Sequence, residues 1–274
     1  MSIKAADVAK LRKATGAGMM DCKKALIEAD GDFDKSVEII RKKGMAIANK
    51  RADREATEGV VLAKVSEDKK NGVIITLNCE TDFVAKNDGF VAFATKILDL
   101  ALENMPADLE ALKALELEGR KVEEHVTEQT GIIGEKIDLS FFDKIEAASS
   151  VAYIHAGNKL ATLIGFNKEV ENQMARDVAM QAAAMAPIAI DKDAVSADVV
   201  AKELEIGKEK ARLEGKPEQM LDKIAQGRLG KFFKEVTLLN QDFVKDSKKT
   251  VKQYLAEADK ELTVVEMKRF TLNA

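Results

Sequence analysis

Residues 1–54 carry a single kind of pattern. In "AADVAKLRKAT" Val8, Leu11 and Arg12 recur at helical spacing, "GAG" interrupts the period, and "MMDCKKALIEADG" resumes it until Gly31, with Cys22, Leu26 and Ala29 on one side. Asp32 or Asp34 can cap a third helix over "DKSVEIIRKKGMAIANKRADR". Its apolar side is marked by Val37, Ile40 and Ile47, and its end turns basic and alanine-rich. The pattern predicts a three-helix module running into a linker.

From residue 58 the period changes. "EGVVLAKVSEDKKNGVIITLNCETDF" alternates, meets a turn signal at Asn71-Gly72 and returns as a β-branched run, which predicts a hairpin. A helix over "DGFVAFATKILDLALEN", a charged helical stretch from about Asp108 to Gln129 ended by "TGIIG", and a third strand in "EKIDLSFFDKI" follow. The same order recurs: a hairpin "SSVAYIHAGNKLATLIGF" turning near Gly157-Asn158, a helix stopped by Pro187, then helix, glycine and strand through "EQMLDKIAQGRLGKFFKEVTLLNQDFV". Two copies of strand, strand, helix, helix, strand are expected. The second copy contains an addition that begins at Ser196 and breaks at Gly215-Lys216-Pro217. It reads as an antiparallel helical hairpin, with Val199, Leu204 and Ile206 facing Met220, Leu221 and Ile224. The expected divisions are 1–54, 55–147, 148–188, an inserted hairpin at 189–228, and 229–274.

Composition narrows the function. The 274 residues are 46% hydrophobic and 33% charged, the balance of a soluble globular protein, and the formal net charge of -4 supplies no overall positive field for a polyanion. Direct nucleic-acid binding is therefore not expected. The basic run Arg41, Lys42, Lys43, Lys50, Arg51 and Arg54 has no aromatic on which to stack a base and reads as a solvated linker helix. No apolar run approaches the ~20 residues that span a bilayer and the N-terminus has no signal-like core, so the expected location is cytoplasmic. Cys22 and Cys79 are expected as free buried thiols.

Catalytic chemistry finds no constellation. His125 and His155 lie in different repeats, no Cys-x-x-Cys or His-x-x-x-His pair exists, and no serine stands in a nucleophile elbow. "TGAGMMD" lacks the ending and the preceding strand of a phosphate loop. A hydrolase built on Glu80 and Asp82 would lack a partner acid, base or metal. No catalytic residue, cofactor or metal ligand is assigned.

Recognition chemistry has candidates. Met19 and Met20 stand at an interhelix turn, where at least one is expected to pack inward and the other to suit docking on a helix. In "NCETDFVAKND" Thr81 can cap a helical turn whose N-terminus Asp82 favours, and Phe83 can pack beneath the next helix with Val84 and Phe90. Alternatively Phe83 projects as a wedge with Asp82 beside it. The sequence leaves both open, and His155, at the tip of the second hairpin, can simply face water.

"LRKATGAGMMDCKKAL" and "NCETDFVAKNDGF" resemble the two signature segments of the bacterial elongation factor Ts family, and the helix module, doubled core and inserted hairpin follow that family's order from about residue 2 to about residue 270. The resemblance implies an α+β fold: an N-terminal three-helix UBA-like module, two related subdomains each with a small antiparallel sheet and helices, and the inserted antiparallel hairpin. It implies a nucleotide-exchange factor, not an enzyme, whose partner is elongation factor Tu. Thr81, Asp82, Phe83 and Val84 would then enter the partner's G domain near its magnesium site. Ile133 and Gly134, His155, and Arg12, Met19 and Met20 would supply further contacts, and the helical hairpin raises the possibility of a higher-order complex. The alternative is a UBA-type module that binds a helix or nascent chain without exchange activity. Two departures stand out: the chain stops at "EMKRFTLNA", where some members continue into a further helical module, so that contact is expected to be missing, and Lys136 replaces the usual asparagine after Glu135.

Overall fold

The computed structural model describes residues 3–272, which fall into two compact units: residues 3–62 with 75–142, and residues 63–74 with 143–272. The first unit opens with α1 (Ala5–Thr15), α2 (Met19–Glu28) and α3 (Phe33–Arg51). Gly16 ends α1 by taking φ +69° and donating its N–H to Arg12 O, the left-handed stop that a side chain resists. Asp32, rather than Asp34, caps α3 by accepting the Lys35 N–H. Val8, Leu11, Cys22, Leu26 and Ile40 form the small core of these three helices, with Phe33 and Val37 against it.

Beyond α3 run β1 (Glu58–Val65), β2 (Asn71–Cys79), α4 (Asp82–Ala85), α5 (Asp88–Asn104), α6 (Leu109–Ala114), β3 (Glu116–Leu117), β4 (Arg120–Lys121), α7 (Val122–Ile133) and β5 (Asp138–Glu146). The first sheet has the order β1-β2-β5. Its hairpin turns before Asn71-Gly72, not at it: Ser66 O accepts the Lys69 N–H, Asp68 accepts the Lys70 N–H and the Ser66 hydroxyl, and Lys69 takes φ +58°. Gly72 serves instead as a strand residue under the Leu163 and Ile145 side chains, which an added Cβ would strike. The charged stretch 108–129 is also not one helix. Glu118 and Gly119 both have positive φ and fold a two-residue hairpin between α6 and α7. Buried His125 ties that hairpin to α7, bonding Leu117 O at 2.7 Å and Arg120 Nη2 at 3.2 Å.

"TGIIG" does not end α7 at Thr130. The helix passes through Gly131 because α3 crosses it there, backbone on backbone: a Cβ on Gly131 would overlap the Gly44 main chain. It stops at Gly134, φ +81°.

The second unit contains β6 (Ser149–Ile154), β7 (Leu160–Phe166), α8 (Asn172–Met185), α9 (Ala197–Leu213), α10 (Glu218–Val236), β8 (Asp242–Phe243), β9 (Asp246–Thr250), α11 (Val251–Ala256) and β10 (Val264–Thr271). Gly157 and Asn158, both at positive φ, make the β6–β7 turn at the expected place. The sheet order β6-β7-β10 repeats the first sheet's arrangement, with the second hairpin strand central. The third strand is β10, however, and not the strand expected after the glycines of "AQGRLG", because α10 runs on through Gly227 and Gly230 to Val236. Neither glycine has a neighbour that stops the helix, and each costs only about 1 kcal/mol relative to alanine. Buried Leu229 holds that stretch in place.

Ser196 caps α9 as expected, accepting the Val199 N–H. The seam of the α9–α10 hairpin differs from expectation. Gly207 lies against Ala225, flanked by buried Ala211, Leu221 and Leu229, while Met220 is exposed. Small residues let the two backbones approach, and the large ones are pushed to the margins.

Between α8 and α11, Asp177 is nearly inaccessible and accepts from Lys245 Nζ at 2.6 Å, Gln173 Nε2 at 2.7 Å and Tyr254 Oη at 3.2 Å. Burial pushes its carboxyl up, but these donors outweigh burial and hold it below the ordinary value. The same site, chiefly through burial and then through the Asp177 charge, pushes the Tyr254 phenol up to about 12. A carboxyl more acidic folded than unfolded adds stability that is complete above its unfolded value, near pH 4, and vanishes as pH falls through the lowered folded value. Asp177→Asn is therefore expected to cost about 1.5 kcal/mol at pH 7 and much less near pH 2. Thermal melting across that range checks the sign; an equal loss at both ends would remove the carboxylate's charge from the explanation.

Candidate functional site

The stretch after β2 is built to fix a corner. Residues Gly72 to Cys79 are buried, so the strand cannot slide, and the chain must turn where Glu80 and Thr81 emerge. Thr81 has extended backbone and its hydroxyl accepts the Val84 N–H, which starts α4 as expected. Lys86 closes that turn with an ion pair to Asp82 at 2.6 Å, and the carboxylate keeps the Lys86 ammonium protonated above its ordinary range. Asn87 then accepts from both Gly89 and Phe90 to start α5. Two helix starts within seven residues leave little freedom for what lies between them.

Phe83 lies between them, and it is 83% exposed. Ala85 and Phe90 are the buried side chains of this stretch and the Phe83 ring is not, so the packed alternative for the ring does not occur. The side chain projects from α4 into solvent, with Asp82 half-buried beside it and Val84 half-buried behind it. Cys79, below the corner, is a buried free thiol. Burial, reinforced by the Glu135 charge, pushes it up to about 12, which makes it inert as a nucleophile.

Polar atoms at the corner are taken up by two carboxylates absent from the sequence-based site. Glu135 accepts the Glu80 and Thr81 N–H groups at 3.2 and 3.0 Å and the Thr81 hydroxyl at 2.7 Å. Glu80 in turn accepts the Lys136 N–H at 2.6 Å, Arg51 at 2.7 Å and Arg54 at 3.2 Å. Desolvation raises the Glu80 carboxyl, and the Lys136 N–H and the two guanidiniums overcome it, leaving the group below its ordinary value. Lys136 Nζ continues to Ala52 O and Arg54 O at 2.8 and 2.9 Å. No periodicity or motif marks these partners: Glu135 and Lys136 lie more than fifty residues from Glu80 and Thr81 in sequence, and Arg51 and Arg54 more than twenty.

Ile133 and Gly134 stand directly before this clamp. Ile133 is half-buried at the end of α7, and Gly134 caps the helix, its N–H on Thr130 O, with open space on the side where a Cβ would be. Arg12 is exposed on α1. Met19 and Met20 are 53% and 62% exposed, so the expectation that one packs inward fails. Cys22, Ala25 and Leu26 already fill the inward side of α2, leaving its first two residues to solvent. In the second unit His155 is exposed past the end of β6, its Nδ1 3.0 Å from the Tyr153 hydroxyl.

Among the described residues no cluster of three or more His, Cys, Asp and Glu side chains is placed to hold a metal ion. None of their helices is long and apolar enough to cross a membrane. Exposed instead are an aromatic ring on a fixed corner, Phe83, and two soft methionines at a helix start, Met19 and Met20, side-chain types that suit protein recognition.

The family model for Elongation factor TS matches residues 80–274. A protein named Elongation factor Ts from Porphyromonas gingivalis is 54% identical over 276 residues, covering all of both chains. One from Christiangramia forsetii is 53% identical over 272 residues, 98% of each chain, and one from Bacteroides fragilis is 45% identical over an alignment of 331 residues that covers both completely. Identity at that level across the whole length, together with the doubled sheets and the inserted helical hairpin, means that this chain belongs to the elongation factor Ts family of translation elongation factors.

Proposed function

We propose that the chain is a cytoplasmic guanine-nucleotide exchange factor that binds elongation factor Tu with GDP and promotes GDP release so that GTP can enter. The observation that carries this reading is the 83% exposure of Phe83 on a corner capped at both ends. A ring that contributes nothing to its own core is available to a partner's. In elongation factor Ts the corresponding aspartate and phenylalanine enter the partner's G domain beside magnesium, and Asp82 and Phe83 take that role here, between Thr81 and Val84. Ile133, Gly134, His155, Arg12, Met19 and Met20 supply the remaining contacts.

The energetics require those other contacts. Burying one phenylalanine is worth roughly 1.5–3 kcal/mol, which accounts for about 10- to 100-fold in a rate at 1.4 kcal/mol per decade. Larger accelerations need an interface that prefers the nucleotide-free partner, and by linkage this protein and GDP weaken each other's binding by the same factor. No bond is made or broken by the exchange factor itself.

The direct test is release of labelled GDP from elongation factor Tu with and without catalytic amounts of this protein. Acceleration that saturates with the concentration of the complex is expected. Binding without acceleration would leave a docking protein that uses the exposed Met19 and Met20, and the exchange reading would fail.

A further inference from the structure

We propose that Glu135 is a positioning residue for Phe83: with Glu80 it forms a reciprocal clamp that locks the exit of β2 to the exit of α7, so that the ring and the Ile133–Gly134 corner meet a partner as one preformed surface. The inference rests on the exchange reading given above. Its basis is the crossed pattern of bonds. The Glu135 carboxylate holds the main chain of Glu80 and Thr81, while the Glu80 carboxylate holds the main chain of Lys136. Neither segment can shift without breaking bonds made by both side chains.

Three features make this more than a fold contact. Thr81 uses one hydroxyl twice, donating to Glu135 at 2.7 Å and accepting the Val84 N–H, so the carboxylate orients the same oxygen that starts α4. Phe83 is in the first turn of that four-residue helix, which is too short to hold its own direction. The Phe83 ring gains nothing from packing at 83% exposure, so its aim depends on the backbone beneath it. The clamp also reaches the end of α3: Arg51 and Arg54 bind Glu80, and Lys136 Nζ binds Ala52 O and Arg54 O. The corner thus rests on three chain segments.

A wedge that is already aimed does not spend binding free energy on ordering itself, and a misplacement of about 1 Å at a reacting site can cost up to 100-fold in rate. Glu135→Ala is expected to lower the maximal rate of GDP release from elongation factor Tu on the order of 10-fold, at unchanged thermal stability to within a few degrees. On a Phe83→Ala background the same substitution is expected to add less than about 2-fold, because the two act through one ring. Glu135→Gln, whose single carbonyl oxygen can still accept both N–H groups but which presents an amide donor to the Thr81 hydroxyl, is expected to fall between. Amide exchange at Glu80, Thr81 and Val84 should speed up in Glu135→Ala while the amides of α5 stay protected.

The outcomes separate the two ideas. If the unmutated protein does not accelerate GDP release, the exchange reading fails and this inference with it. If it does, and Phe83→Ala is slow while Glu135→Ala and Glu135→Gln match the unmutated rate, the positioning role alone is overturned. Equal proportional losses from Glu135→Ala with and without Phe83 would also overturn it. If Glu135→Ala melts early, Glu135→Gln and its amide exchange decide the matter: protected amides with a slowed rate would count against the clamp.

Discussion

Phe83→Ala slows GDP release from elongation factor Tu by about 10- to 100-fold and leaves the melting temperature unchanged; that is the expected result for a ring whose only large burial occurs in a partner. The structural half follows from its 83% exposure: removing it deletes almost no internal contact. Most exposed apolar residues can be replaced with small effect on stability, and a large effect on exchange alone is the signature sought. A second comparison tests the route. If Asp82 and Phe83 act by disturbing the partner's magnesium site, removing magnesium with a chelator relieves the same hold on the GDP phosphates. Chelation and the exchange factor should then be less than additive in activation free energy, and Phe83→Ala should restore additivity. Fully additive effects with the intact protein would mean that the site opens by another route, through Ile133, Gly134 and His155, and the role given to Asp82 and Phe83 would be wrong.

Gly131→Ala is expected to destabilise the first unit by about 3 kcal/mol, toward the upper end of overpacking effects. The new methyl group would overlap the Gly44 main chain, and backbone cannot rotate aside as a side-chain tip does. α3 and α7 must separate, and the bonds from Arg51 and Arg54 to Glu80 stretch with them. Gly230→Ala is the control. It lies inside α10 with open space on the Cβ side, so the substitution should stabilise by about 0.5–1 kcal/mol through helix propensity alone. Urea melting of both variants, followed by far-UV circular dichroism, gives the two signs. Two stabilised proteins would mean that α3 does not rest on α7 at this point.

The candidate site was partly visible in the sequence. "TDFV" after a buried strand marked a corner, and Thr81 as a cap was legible because capping is settled by the residue and its next three neighbours. Which way Phe83 points was not. That depends on whether Ala85, Phe90 and their neighbours have already filled the core beneath, a question of volume that no local pattern contains. The two methionines failed for the same reason: soft side chains suit small cores, but Cys22, Ala25 and Leu26 left no room. Glu80 was weighed only as a hydrolase carboxylate, and its crossed pairing with Glu135 was not legible, since carboxylates at strand and helix ends look like any solvated charge until the chain brings them together.

By itself the sequence determined the features that each residue's own backbone preference settles. These are the end of α1 at Gly16, the start of α3 at one of two candidate caps, Asp32 or Asp34, the start of α9 at Ser196, the turn at Gly157-Asn158 and the two hairpins before their helices. It also carried the family, because the two signature segments keep their residues wherever the chain places them. Tertiary structure decided the rest. It moved the first hairpin's turn off Asn71-Gly72, because Gly72 is needed under Leu163 and Ile145. It carried α7 past Gly131 because α3 crosses there, and it made β10 rather than the segment after Gly227 and Gly230 the third strand of the second sheet. In each case a glycine offered a stop that long-range packing overrode. A local signal is worth about 1 kcal/mol, and a helix or strand interface buries enough apolar surface to outweigh it.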